Sequence, residues 1–198
     1  VGPKTSIPLW FLLLKFLVVT SAMTILLLAA HHLKARPTFS DVLLLSPLIY
    51  LLTEWLGVFA QVLFYPAVKL QPLHDHPLSS RTIGDFWGRR WNIWVQDWLR
   101  DMSRAQRRSL SRKLLISFML SGFFHEVMVN LPMLIFRGQW HFGNMMAYFI
   151  IQGIALWVDK KYLYRAPSKL RRTYLWLAVG LPAPLFLNQS LLLFFGIE

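Results

Sequence analysis

The residues able to do chemistry here are few and stand among apolar neighbours. His125 is the foremost, in a hydrophobic run over 113–135 that also carries Glu126 and Asn130. Twelve residues separate it from Lys113. At about 1.5 Å rise per residue a helix places the imidazole about 18 Å below the interface, near the middle of a hydrocarbon core about 30 Å thick. The low dielectric there favours the uncharged ring, which can accept a proton as a general base does. A histidine hydrogen-bonded between helices as packing is the plain alternative. Glu126 points about 100° away from His125 on a helix, as an orienting or packing residue, while Glu126 and Asn130 share a face at i and i+4. Ser121 and Gly122, one turn earlier on the His125 side, leave room beside the ring. Glu54 sits mid-run in 42–69; such a group is costly in a membrane unless paired or facing a wet cavity, so it is either functional or hydrogen-bonded in helix packing. His74, Asp75 and His76 have the residue types of metal ligands, but i and i+2 do not share a helical face and Pro72 and Pro77 imply a loop. No metal site is expected.

The second polar set lies in Asp85 to Arg100. Wound at 100° per residue, this stretch puts Trp87, Trp91, Trp94 and Trp98 on one stripe, Arg89, Gln96 and Arg100 opposite, and Asn92 at the seam. Indoles on one side and guanidiniums on the other suit the boundary of hydrocarbon and water. The tryptophans are expected as interface anchors and packing. Arg89, Arg90 and Arg100 can engage phosphate oxygens, whether of a ligand or of lipid headgroups.

These residues must be positioned by membrane helices. The 198-residue chain is 56% hydrophobic and 15% charged, which is not a soluble composition. Its net charge of +12 does not point to nucleic acid, because the basic residues alternate with long apolar runs. Cysteine is absent, so disulfides, thiolate metal sites and an acyl-cysteine intermediate are excluded. No signal peptide is expected before the first apolar run. Runs over 8–30, 42–69, 113–135, 142–158 and 173–195 predict five spans, the second, longer than a bilayer needs, tilted, bent near Pro47 or continued as an interfacial helix towards Pro66, and the last broken by Pro182 and Pro184. Lys15 is expected to snorkel from the first span. Nine basic residues from Arg81 to Lys113 and six from Lys160 to Arg172, with Lys4 and Lys69, place 17 on one side, against Lys34, Arg36 and Arg137 on the other. The 17 mark the cytoplasmic side. The fold class expected is all-α: a polytopic membrane helical bundle of about five transmembrane helices plus an amphipathic interfacial helix, in a single domain over 1–198.

Phe86-Trp87-Gly88-Arg89-Arg90-Trp91-Asn92 followed by Ser121-Gly122-Phe123-Phe124-His125-Glu126 resembles the paired signature of plant and fungal wax synthases and related O-acyltransferases, a branch of the membrane-bound O-acyltransferase superfamily. The likeness covers roughly 70–198. It implies a helical bundle around a tunnel, with acyl-CoA entering from the cytoplasm and no further cofactor, in the endoplasmic reticulum membrane if the source is a eukaryote. It also implies that His125 is the catalytic histidine and Asn92 the second catalytic-site residue, with Arg89, Arg90, Trp91 and Glu126 as substrate-binding candidates. His125 would deprotonate an apolar alcohol for attack on the acyl thioester, without a covalent enzyme intermediate. His31-His32 do not continue into the HHxxxDG pattern of other acyltransferases, since Lys34-Ala35-Arg36-Pro37 lacks the Asp and Gly, and they read as interfacial. Members of the branch usually carry more spans before the FWGRRWN stretch, so the chain is expected to be a fragment or a reduced member lacking N-terminal helices. The rival readings are a channel or transporter using His125, Glu54 and Glu126 as a polar path, and a structural subunit without activity.

Overall fold

The computed structural model describes residues 7–30, 39–104, 110–138 and 141–194; His31, His32, Arg107 and Arg108 lie outside them, and the side chains of Arg100, Arg104, Arg112 and Lys113 are likewise not described. The described residues are helical, without a strand. Helices α1 (Leu9–Ala30) and α2 (Phe39–Leu63) pack against one another, and α2 continues through Pro47. Phe64 to Ser80 carry the chain back to a short turn, α3 (Ile83–Asp85), and then to α4 (Ile93–Arg104). Helix α5 (Leu110–His125) leads through a wider π-helical turn, Glu126–Asn130, into α6 (Leu131–Arg137). Pro132 offers no N–H to the carbonyl four residues back, which favours that wider turn. Helix α7 (Asn144–Tyr162) returns along α5, and α8 (Ser168–Gly180), α9 (Ala183–Phe186) and α10 (Gln189–Phe194) complete the described chain.

Among the described residues, three stretches are long and apolar enough to cross a membrane: Leu9–Ala29, Ser46–Leu63 and Leu115–Arg137. The fourth expected span is α7, with Asp159, Lys160 and Lys161 near its end; the fifth is broken into three helices at Pro182 and at Leu187–Asn188. Outward-facing Trp10, Leu13, Leu17, Ile25 and Leu28 leave one side of α1 apolar and exposed, as expected of a helix in lipid.

Two expectations are corrected. Lys15 does not snorkel: its ammonium pairs with the Glu54 carboxylate, joining α1 to α2. Glu54 is buried with one carboxylate oxygen in that pair, and it is not on the wall of the cavity described below. Trp55, the next residue, adds an indole N–H bond to the Thr20 hydroxyl at 3.0 Å.

A single helix over Asp85–Arg100 does not form. After α3 a π-helical turn, Phe86–Arg90, closes with the Trp91 N–H donating to the Phe86 carbonyl at 2.9 Å. Trp91 is extended, and Asn92 takes the left-handed conformation with φ 46, one that asparagine tolerates better than most residues. The stripe of indoles is therefore split, and Trp87 turns into the protein interior.

Candidate functional site

His74 fastens the broken stretch to α2. The Asn92 backbone N–H donates to His74 Nδ1 at 3.1 Å, so the ring hydrogen sits on Nε2, 2.8 Å from Thr53 Oγ1. The Thr53 hydroxyl has the Ile49 carbonyl at 2.9 Å to donate to, which leaves its oxygen free to accept from His74. Trp91 and Tyr50 lie against the imidazole, with ring centres at 4.6 and 5.3 Å. Burial pushes the His74 pKa from 6.5 down to about 4, against the pull of Glu54. The ring is neutral at pH 7, as the hydrogen bond it accepts requires. His74, Asp75 and His76 hold no metal-ligand cluster among the described residues.

Docked in this way, Asn92 caps α4. Its side-chain Oδ1 accepts from the Val95 N–H at 3.4 Å and its carbonyl from the Gln96 N–H at 3.1 Å. The Nδ2 amide has no hydrogen-bond partner among the described residues. Trp94 tethers the same helix through its indole N–H to the Gln71 carbonyl at 2.9 Å.

His125 arrives from the other side as the last residue of α5. Its Nδ1 lies 2.6 Å from the Ser121 carbonyl. A carbonyl only accepts, so Nδ1 carries the hydrogen and Nε2 presents a lone pair. Phe149 and Phe186 flank the ring at 4.9 and 5.1 Å between centres. Gly122 does not open space beside the imidazole as expected. A Cβ there would come within 2.9 Å of Met146 Cα, so the glycine is what lets α7 approach α5.

One cavity of about 590 Å³ brings the two motifs together. Asn92, Trp91, Trp87 and Gly88 line it from the first, and Ser121, Phe124 and His125 from the second. Arg89, Arg90 and Glu126 are not on its wall. Arg90 instead bonds Asp85 at 3.0 Å and the Asp75 carbonyl at 3.2 Å, and Arg89 is exposed. Glu126 is buried across two ties: it accepts from Asn130 Nδ2 at 2.7 Å and from the Met146 N–H at 2.9 Å, the latter in the first turn of α7. The shared face of Glu126 and Asn130 read from the sequence is thus real, and its use is to hold α7.

Gln152 escaped the sequence reading. Fully buried on α7, it accepts from the Trp87 indole N–H at 3.1 Å and donates to the Ala178 carbonyl at 2.8 Å. That carbonyl lies four residues before Pro182, which has no N–H to offer it. The available signal was the one used for His125: a lone polar residue in an apolar run.

Residues 70–154 match the membrane bound O-acyl transferase family. The chain is similar to probable long-chain-alcohol O-fatty-acyltransferase 1 of Arabidopsis thaliana, 31% identical over 139 residues, 64% of this chain and 39% of that protein. It is similar as well to probable long-chain-alcohol O-fatty-acyltransferase 9 of the same plant, 32% identical over 96 residues (43% and 25%), and to the long-chain-alcohol O-fatty-acyltransferase of Simmondsia chinensis, 38% identical over 72 residues (30% and 20%). No solved structure matches. The matched part of the chain spans about two fifths of the first of these relatives and less of the others. Residues 70–154, the part that matches the membrane bound O-acyl transferase family, hold both motifs and the residues from them that wall the cavity.

Proposed function

We propose that the protein is a multi-pass membrane O-acyltransferase that moves a fatty acyl group from acyl-CoA to the hydroxyl of an apolar alcohol. The observation that carries this reading is that Asn92 and His125, 33 residues apart, line one cavity. His125 Nε2 takes the hydroxyl proton, the oxygen attacks the thioester carbon, and the tetrahedral intermediate collapses to ester and thiolate. The imidazolium then returns its proton to sulfur. Asn92 Nδ2 donates to the transient oxyanion, the interaction that lowers the barrier in such transfers. Trp91 and the rings beside His125 hold the apolar substrates and keep water away from the thioester. Arg90 and Glu126 act on this site by holding the motif loop and α7.

The relatives' names make a long-chain alcohol the first acceptor to test. Five spans, an interfacial α4 and a cytoplasmic face for 70–112 and 159–172 complete the proposed topology, and in a eukaryote the endoplasmic reticulum is the proposed membrane. A channel using His125, Glu54 and Glu126 draws no support from the cavity, since both glutamates are engaged elsewhere. The test is to incubate membranes carrying the full-length protein with labelled acyl-CoA and a panel of long-chain, sterol-like and diacylglycerol alcohols. Ester from at least one is expected, and none from any would overturn the reading.

A further inference from the structure

The cavity wall reaches the end of α7, where it includes Lys160 and Leu78. Lys160 has no hydrogen-bond or ion-pair partner among the described residues. The carboxylate beside it in sequence, Asp159, is taken by Arg171 through two bonds at 3.0 and 2.8 Å, so it is committed to another cation. A second cation is near this end without being on the wall: an Arg172 amine lies 3.5 Å from the carbonyl of Leu78, a wall residue, and its other guanidinium donors have no partner among the described residues. Arg89 and Arg90, the cations expected to meet phosphate, are off the cavity wall, and Arg90 is bound to Asp85.

Depth adds a second constraint. Lys160 and Phe149 share α7, and their 11-residue separation corresponds to about 16 Å along the axis. Phe149 packs on His125. A molecule with phosphates at Lys160 and its reacting carbonyl at His125 therefore needs a slender arm of about that reach between them, which is the form of the phosphopantetheine arm of an acyl-CoA. We propose that Lys160 and Arg172 form the phosphate-binding rim of the cavity and hold the nucleotide end of the acyl donor while its thioester lies beside His125. The inference rests on the acyl-transfer reading above, and it replaces Arg89 and Arg90 as the phosphate ligands. A phospholipid headgroup offers the same phosphate chemistry, so the test must separate the two sources.

The experiment uses the full-length protein in vesicles of phosphatidylcholine, with and without anionic phosphatidylglycerol. Binding of free CoA is measured by calorimetry, and turnover is measured with acyl-CoA and with acyl-pantetheine, which lacks the phosphates. Lys160→Gln and Arg172→Gln should each weaken CoA binding and raise the acyl-CoA KM about tenfold or more, with Lys160→Arg restoring much of the loss. Turnover of acyl-pantetheine should stay unchanged, which also shows that the variants fold. Unchanged CoA affinity in both glutamine variants overturns the inference and leaves acyl transfer standing if ester still forms. So does a loss confined to the response to phosphatidylglycerol, which would assign the cations to lipid. If the wild type makes no ester yet binds CoA through Lys160, the rim is upheld and the reaction reading fails; if it binds no CoA, the rim is overturned.

Discussion

The two roles given to the Asn92 amide can be separated. Oδ1 caps α4, and Nδ2 is the proposed donor to the reaction. Asn92→Asp keeps a capping oxygen and a residue type that tolerates the left-handed backbone, but replaces the donor with an acceptor. Thermal stability should stay close to wild type while turnover falls about 100-fold to 1000-fold. Asn92→Ala should lose both, with about 1 kcal/mol of stability going with the cap. Equal turnover in wild type and Asn92→Asp would remove the donor role. The neighbouring His74 gives a pH signature. Its pKa is about 4 in the fold and 6.5 in the free ring, so the unfolded chain binds more protons between those values. The stabilisation is full above pH 6.5 and is lost as pH falls toward 4, on the order of 3 kcal/mol in all. Melting temperatures across pH 4–7 should show this slope in wild type and a shallower one in His74→Asn; identical slopes would refute it.

At the scale of elements, Trp87, Gln152 and Ala178 connect the first motif to the broken helix beside His125. Gln152→Leu leaves a buried indole N–H and a buried carbonyl without partners, at about 1–3 kcal/mol each. A clear drop in melting temperature in detergent is expected, and an unchanged one would show that those groups find other partners. The sequence foretold much of this layer. Hydropathy located α1, α2 and the α5–α6 run, the prolines marked the break after α8, and Asn92 and His125, singled out in the two motifs, line one cavity. It misled at Asp85–Arg100, where a helical period was extended through Trp91 and Asn92. The extended and left-handed residues there are held by His74, a contact 18 residues away that periodicity does not register. Lys15 and Glu54 were each read alone, because nothing local announces an ion pair between two helices. The roles of Gly122 and Glu126 likewise follow from α7 packing on α5, which spacing along one helix cannot express.

At the scale of the whole molecule, the proposed topology puts the end of the cavity that bears Lys160 on the cytoplasmic side, with His125 inside. The absence of cysteine makes the topology direct to test. Single cysteines at Ser103 and Ser168 should both react with an impermeant thiol reagent added from the cytoplasmic side, and labelling of either from the opposite side alone would refute the arrangement. The central claim is that acyl transfer occurs in this cavity with His125 as the base. It is tested most directly by comparing ester formation from labelled acyl-CoA and a long-chain alcohol by purified wild type and His125→Ala, alongside CoA binding by each. Ester from the wild type, none above background from His125→Ala, and equal CoA affinity in the two are expected. Near wild-type turnover by His125→Ala would contradict it.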